Sequence, residues 1–179
     1  MPADSLVRPA AKREIPEIQA VTVAAYAEFR PHVPAAIFDA YMENLCRLAD
    51  CWEEAEVLVA ELNGRIAGTI TFYADASSEG LGLPKGWAGF RRLAVHPQLR
   101  GHGAGRALTQ RCIDAAHALA APTVGVHTAA FMTAARGIYE RLGFRRCPEY
   151  DLGAAAILGL EASGGDVSVI AYRLDLAAR

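Results

Sequence analysis

The chain has 179 residues, 53% of them hydrophobic and 21% charged, and its formal net charge is -2 at pH 7. This length predicts one domain, residues 1–179, that buries a core without help from disulfides or metals. The slight negative charge argues against a general nucleic-acid binder, and no apolar run is long enough to cross a bilayer. We therefore expect neither nucleic acid nor a membrane among its partners.

The N-terminal stretch MPADSLVRPAAKREIPEI has no apolar segment behind a basic start. It therefore predicts a protein that carries no export signal and stays in the cytoplasm. The four cysteines, Cys46, Cys51, Cys112 and Cys147, form no CxxC pair and have no histidine at ligand spacing. We predict four reduced thiols and no bound metal.

The first half of the chain contains two kinds of apolar periodicity. Apolar residues at helical spacing predict helices over residues 14–29 and 35–50. The apolar run VLVAEL at 57–62 is followed by an Asn-Gly pair and then by RIAGTITFYA, which predicts an antiparallel hairpin. The turn-rich stretch at 74–86 predicts a loop.

The second half alternates strands and helices. We predict, in chain order, a strand at 87–95, a helix at 103–120, a strand at 123–129, a helix at 132–142 stopped by Gly143, and last strands at 144–150 and 167–176 around a glycine-rich turn at 163–165. This order of elements predicts an α/β fold with a mixed sheet.

A glycine loop, LRGHGAGRAL at 99–108, lies between a predicted strand and a predicted helix. It lacks the Lys-Ser or Lys-Thr of a P-loop, and Arg106 stands where the dinucleotide fingerprint needs its third glycine. What remains is Arg100-x-x-Gly103-x-Gly105 at the start of a helix, where free N–H groups and the helix dipole favour an anion such as a pyrophosphate. A glycine-rich turn without a ligand is the alternative.

The segment RRLAVHPQLRGHGAGRAL, together with AARGIYERLGF further on, resembles the acetyl-CoA-binding core of the GNAT superfamily, whose signature is Q/R-x-x-G-x-G/A. The resemblance implies the acyl-CoA N-acyltransferase fold, an α/β fold with a mixed, mostly antiparallel central sheet of about six to seven strands flanked by helices. It also implies acetyl-CoA as co-substrate, with the pantetheine arm in a gap of the sheet and the pyrophosphate on backbone amides. The implied binding residues are Leu93, Ala94, Val95, Arg100, Gly101, His102, Gly103, Ala104, Gly105, Arg106, Met132, Ala135 and Tyr139.

The same resemblance implies catalytic roles. A backbone amide near Val95 would polarise the thioester carbonyl, and Tyr139 would face the sulfur as general acid, although its helical spacing also fits simple packing. Many relatives have a glutamate base where this chain has Gly89. Glu149 and Asp151 are candidates to replace it as base or as a contact for the ammonium group, or else they are solvated loop acids.

Two further residues, His127 and Met132, are candidates for a place in the site. His127, on a predicted strand, could take up a proton near neutral pH or could be a core histidine. Met132 stands where many relatives have an asparagine that contacts pantetheine.

The implied activity is transfer of an acetyl group to a primary amine of a small molecule or a peptide N-terminus, by direct attack in a ternary complex. Aromatic and acidic side chains could line an acceptor pocket, or belong to the core and to a solvated loop: Tyr26, Phe29, Phe38, Tyr41, Trp52, Trp87, Asp75 and Glu79. The missing strand glutamate leaves a second hypothesis, a catalytically weak acyl-CoA-binding sensor or regulatory protein. Because the family commonly dimerises, a homodimer is expected.

Overall fold

A computed structural model describes residues 6–161 and 165–176. Its helices are α1 (Ile15–Tyr26), α2 (Ala35–Cys46), α3 (Ala104–Ala118), α4 (Thr133–Arg141) and α5 (Ala154–Ile157). Its strands are β1 (Leu6–Pro9), β2 (Glu56–Leu62), β3 (Arg65–Tyr73), β4 (Ala88–Val95), β5 (Thr123–Ala129), β6 (Arg145–Arg146), β7 (Leu152–Gly153) and β8 (Ser168–Asp175).

The strands form one sheet in the order β1-β2-β3-β4-β5-β8-β6, with β7 also paired to β8. Neighbouring strands are antiparallel except for β4 and β5, which are parallel. The predicted fold class, a mixed and mostly antiparallel sheet flanked by helices, is confirmed.

Alternate residues of β2 point to opposite faces of the sheet, as the period of two requires. Leu58 and Ala60 pack into the cluster that contains Leu108 of α3. Val57 and Val59 pack with residues of α1 on the other face. The sheet is therefore covered by α3 on one side and by the early helices on the other, and none of the helices in the described part of the chain is long and apolar enough to cross a membrane.

The predicted hairpin forms between β2 and β3. Asn63 and Gly64 both have positive φ, 52° and 74°, as a tight two-residue turn requires. The structure differs from prediction elsewhere: β1 had no clear signal, and the strand expected at 144–150 shrinks to β6 because Pro148 begins a short 3-10 helix. Most of the glycine-rich turn predicted at 163–165 lies outside the described residues.

The sheet opens between β4 and β5. Their parallel pairing is limited to Ala88 with Val124 and Gly89 with Gly125, after which the strands separate. On its other edge β4 carries a bulge, where Arg92 and Leu93 together oppose a single residue of β3. Arg92 has a φ of 57°, a left-handed conformation that bends β4 away from β5. The gap lies directly before the glycine loop.

Candidate active site

The glycine loop folds into a tight turn that leads directly into α3. Gly101 and Gly103 have φ of 83° and 85°, which other residues adopt only with strain, and α3 begins immediately after Gly103. In the parts of the chain that the structure describes, none of the N–H groups of residues 101–106 donates to a protein acceptor. Unpaired amides at the start of a fifteen-residue helix have the geometry and the dipole that suit a phosphate or pyrophosphate.

Gly105 allows α3 and α4 to approach each other closely. A Cβ at this position would lie 3.0 Å from Cδ1 of Ile138, tighter than ordinary van der Waals contact. Absence of a side chain therefore brings α4, which carries Tyr139, against the start of α3.

Three arginines surround the loop. Arg100 donates to the carbonyl oxygens of Val95 (3.3 Å) and Ala25 (3.2 Å), and its Nη2 lies 2.6 Å from Oε1 of Glu28. It therefore ties the loop to the end of α1. Arg106 and Arg141 line the cavity beside the loop and form no ion pair within residues 6–161 and 165–176, so their charges are available to phosphates.

The edge of β4 presents backbone groups to the gap. The Tyr26 hydroxyl donates to the carbonyl oxygen of Leu93 at 3.0 Å, and the Val95 carbonyl accepts from Arg100. Both carbonyls thus point away from β3. In an extended strand the N–H of a residue points to the same side as its C=O, so the amides of Leu93 and Val95 face the gap. This fits the expectation of an amide donor near Val95.

One cavity of about 630 Å³ joins the gap, the glycine loop and the early helices. The predicted cofactor-binding residues all line it except His102, which is exposed with Nδ1 3.3 Å from the Leu99 carbonyl oxygen. Residues from β4, the loop, α3 and α4 therefore meet around a single space.

Tyr139 combines packing with exposure to the cavity. Its ring contacts Phe90 and Phe144 with centroids 5.6 Å and 5.8 Å apart, and it is 3% exposed. It also lines the cavity. Burial raises the pKa of its hydroxyl, so the phenol keeps its proton at neutral pH. Tyr139 therefore packs in the core and also reaches the cavity, so packing and a role as general acid are compatible.

Neither acid suggested as a replacement base lines the cavity. Asp151 accepts two hydrogen bonds from Arg146, at 2.9 Å and 2.7 Å, and a third from the Ala171 amide. The Arg146 hydrogen bonds lower the pKa of Asp151. Glu149 is exposed in a 3-10 turn. This geometry favours a structural role for Asp151.

His127 lies on β5 just beyond the point where β4 and β5 separate, and it lines the cavity. Its Nε2 is 2.8 Å from the carbonyl oxygen of Tyr150, while Nδ1 is buried without a partner in the described structure. Burial lowers the pKa of the ring, and the nearby Arg91 cation acts in the same direction.

Glu79, which the sequence suggested only as part of an acceptor pocket or a solvated loop, is a buried acid near the gap. The Glu79 side chain is 2% exposed, with Oε2 3.5 Å from Nε of Arg91. Its Oε1 lies 2.9 Å from where a Cβ of Gly89 would be, so it occupies space left free by that glycine. Burial raises the pKa of Glu79 to about 7. Loop 74–86 reaches this point only through tertiary folding, so no local spacing could have indicated it.

The part of the cavity beside the early helices is aromatic. Of the side chains that the sequence suggested for an acceptor pocket, those of the early helices line the cavity: Tyr26, Phe29, Phe38 and Tyr41. The remaining suggestions do not line it: Trp52, Trp87, Asp75 and Glu79. Across residues 6–161 and 165–176 no group of three His, Cys, Asp or Glu side chains could hold a metal ion.

A sequence model of the acetyltransferase (GNAT) family matches residues 20–144, more than half of the chain. Solved structures with the same fold include the ribosomal-protein-S18-alanine N-acetyltransferase of Escherichia coli, at 18% identity and a TM-score of 0.67 over 98% of this chain and 96% of that one. YncA of Salmonella typhimurium with its cofactor acetyl-CoA matches at 21% identity and 0.64 over 98% and 96%. A Bacillus subtilis acetyltransferase in complex with CoA matches at 15% identity and 0.67 over 97% and 100%.

Proposed function

Since the chain belongs to the acetyltransferase (GNAT) family, we propose that it is an N-acetyltransferase that moves the acetyl group of acetyl-CoA to a primary amine. The acceptor is a small molecule or a peptide N-terminus, attacked directly in a ternary complex. The observation that carries this proposal is a single cavity. It connects the unpaired amides of residues 101–106 with the aromatic side chains of the early helices beside the opened sheet.

The residues of the loop and gap suit acetyl-CoA. The amides at the start of α3 would hold the pyrophosphate, with Arg106 and Arg141 adding positive charge. The free edge of β4 at Leu93 and Val95 would hydrogen-bond the pantetheine arm and the thioester carbonyl. Met132, which packs with Tyr26 and Ala94, offers an apolar contact to the arm in place of a polar one.

Acetyl transfer requires three changes at the reacting atoms. The amine nitrogen forms a bond to the acetyl carbon, the carbon–sulfur bond breaks, and the nitrogen loses a proton while the sulfur gains one. The amide of Val95 would stabilise the negative charge that develops on the carbonyl oxygen. Tyr139, protonated at neutral pH, would donate a hydrogen bond and then its proton to the sulfur. Solvent would take up the proton that the nitrogen loses and return one to the phenolate.

The comparisons support this proposal in its coarse features. Two of the similar structures contain acetyl-CoA or CoA, and another belongs to an enzyme that acetylates a ribosomal protein, which favours a peptide among the acceptors. We also propose a cytoplasmic enzyme that needs no metal and forms a homodimer. All four cysteines are free thiols, as a reducing compartment favours.

Calorimetry with acetyl-CoA tests the cofactor site. We expect saturable binding with a Kd of about 1 μM to 1 mM, which Gly103→Glu abolishes by placing a charged side chain in the phosphate site. Gly64→Glu is the matched control, because Gly64 also has positive φ and open space around its Cβ position but does not line the cavity. If the folded protein does not bind acetyl-CoA, the proposal is wrong.

Thiol release with a panel of amines then tests turnover. The panel contains amino acids, amino acid amides, a peptide with N-terminal alanine and simple alkylamines. Release of CoA that depends on one of these amines supports the transferase. Binding of acetyl-CoA without release from any of them favours the alternative, an acyl-CoA-binding sensor, for which the absence of a side chain at Gly89 is the supporting observation.

A further inference from the structure

Two arginines of β4 lie together at the acceptor side of the cavity. Nη2 of Arg91 donates to Oδ1 of Asn44 at 3.2 Å, and Nη2 of Arg92 donates to the carbonyl oxygen of the same asparagine at 3.4 Å. Both residues line the cavity. One residue of α2 therefore accepts hydrogen bonds from both guanidinium groups.

Arg92 is a buried cation without an acidic partner. It is 8% exposed, and its Nη1 donates to the Tyr73 hydroxyl at 2.9 Å. Its Nε has no hydrogen-bond partner, and no ion pair among residues 6–161 and 165–176 includes it. A buried charge that is neither paired nor fully hydrogen-bonded is costly, so this position favours an anion.

The charge of Arg91 is only partly balanced. Glu79 lies behind it, 3.5 Å from its Nε, beyond good hydrogen-bond distance. Because burial raises the pKa of Glu79 to about 7, its carboxylate is incompletely ionised at neutral pH. Glu28 is the only acid among the described residues that line the cavity, and it is already paired with Arg100. The acceptor side thus has an excess of positive charge.

Much of the cavity wall around these arginines is apolar. Phe29 and Phe38 come from the early helices, and Ile157 and Leu158 come from the short helix α5 and the residue after it. Such walls accommodate a hydrocarbon or aromatic group and offer no counter-charge for a polycationic amine. These features favour an acceptor that carries an anionic group and an apolar group along with its amine.

We propose that Arg91 and Arg92 bind a carboxylate of the acceptor, and that the acceptor class is free amino acids with apolar side chains. This inference rests on the proposed function and narrows it. Paired guanidinium groups match the planar, two-oxygen geometry of a carboxylate. Arg91 and Arg92 come directly before Leu93 in the chain, so a carboxylate bound there would leave the adjacent amine near the free amides of β4.

Calorimetry on the complex with CoA tests the inference without turnover. The probes are L-leucine, L-methionine and L-phenylalanine, each beside its amide, which keeps the amine and the side chain but lacks the carboxylate. We expect the acids to bind at least about tenfold more tightly than the amides. If the amides bind as well as the acids, or if none of the three acids binds, the inference is wrong.

Substitution of Arg91 tests whether the arginines cause the preference for the acid over the amide. Arg91→Gln should raise the KM or Kd of the acid about tenfold or more and leave that of the amide unchanged, while Arg91→Lys should retain part of the preference. Arg106→Gln is the matched control at the glycine loop; it should weaken acetyl-CoA and leave the acid-to-amide ratio unchanged. Equal losses for acid and amide in Arg91→Gln would show a structural role only and overturn the inference.

The two proposals fail in different ways. Absence of acetyl-CoA binding would overturn the proposed function, and this inference with it. Normal acetyl-CoA binding and thiol release without a preference for the carboxylate would overturn only this inference. Thermal unfolding of each variant establishes that it is folded, and Arg91→Lys supplies the result if Arg91→Gln is not.

Discussion

Nε2 of His127 lies 2.8 Å from the carbonyl oxygen of Tyr150, and this contact fixes the tautomer of the ring. A carbonyl oxygen only accepts, so Nε2 carries the hydrogen and Nδ1 keeps its lone pair. Nδ1 is buried and has no partner in the described structure. A neutral imidazole with a free lone pair therefore lies on the wall of the cavity.

The tautomer can be observed by nitrogen NMR of the histidine side chains, with His127→Gln used to assign the signal. We expect the Nε2–H form at neutral pH, with a pKa below the ordinary 6.5 because burial disfavours the charged ring. A ring with its proton on Nδ1 at neutral pH would contradict the hydrogen bond to Tyr150.

The lowered pKa of His127 also predicts how the free energy of unfolding changes with pH. Above pH 6.5 the ring is neutral in both the folded and the unfolded chain. Below that pH the unfolded chain binds a proton that the folded chain does not, so the free energy of unfolding decreases. His127→Gln should lose less stability on acidification than the wild type in urea unfolding. The exposed residue His102, changed to Gln, is the control and should behave as the wild type.

The raised pKa of Glu79 predicts that stability changes with pH in the opposite direction. Its pKa is about 7 in the folded protein against 4.5 in the unfolded chain, so between these values the folded state keeps a proton that the unfolded state has lost. Stability should therefore decrease as the pH rises from 4.5 to about 7, by about 3 kcal/mol.

Glu79→Gln should remove this decrease, because an amide does not ionise. The variant should match the wild type below pH 4.5 and exceed it above about pH 7 in urea unfolding. The exposed Glu54, changed to Gln, is the control and should leave the profile unchanged. The His127→Gln background removes the contribution of that ring. If the free energy of unfolding rises from pH 4.5 to about 7 in this background, the burial of the carboxyl group is contradicted.

Gly105→Ala tests the close approach of α3 and α4. The new Cβ would lie 3.0 Å from Cδ1 of Ile138, so we expect a loss of about 1–3 kcal/mol in the free energy of unfolding, with weaker acetyl-CoA binding. Ile138→Val removes that Cδ1 atom, so the alanine should cost much less in this background. Equal costs in both backgrounds would show that the contact with Ile138 is not the cause.

Tyr139→Phe separates the two roles of this ring. The aromatic contacts with Phe90 and Phe144 remain, so stability and acetyl-CoA affinity should change little. Loss of the hydroxyl should lower kcat about a hundredfold if it supplies the proton to sulfur. Because burial raises the pKa of Tyr139, its ionisation should not change the kcat of the wild type at pH values around neutrality.

Tyr172→Phe is the matched control for that variant. Its ring packs 6.2 Å from the Tyr139 ring, and its hydroxyl bonds to Glu140 away from the lining of the cavity. It should leave kcat unchanged. A similar decrease of kcat in both variants would indicate altered packing and not loss of an acid.

The sequence alone sufficed for features that depend on neighbours in the chain. The Asn63-Gly64 turn, the glycines of the loop before α3 and the apolar face of α3 are specified by local backbone preferences and by periodicity. Those signals predicted the mixed sheet, and the resemblance to the GNAT superfamily implied residues of β4, the glycine loop and α4 that prove to line the cavity, His102 excepted.

Only the tertiary structure decided what lies on the acceptor side. Glu79 reaches Gly89 from a loop, Asn44 of α2 holds Arg91 and Arg92 together, and Asp151 pairs with Arg146 instead of facing the cavity. These relationships depend on burial and on the packing of segments far apart in the chain. Spacing along a sequence contains no information on the desolvation of a charge or the distance between two remote side chains, so the acceptor chemistry could be inferred only from the folded protein.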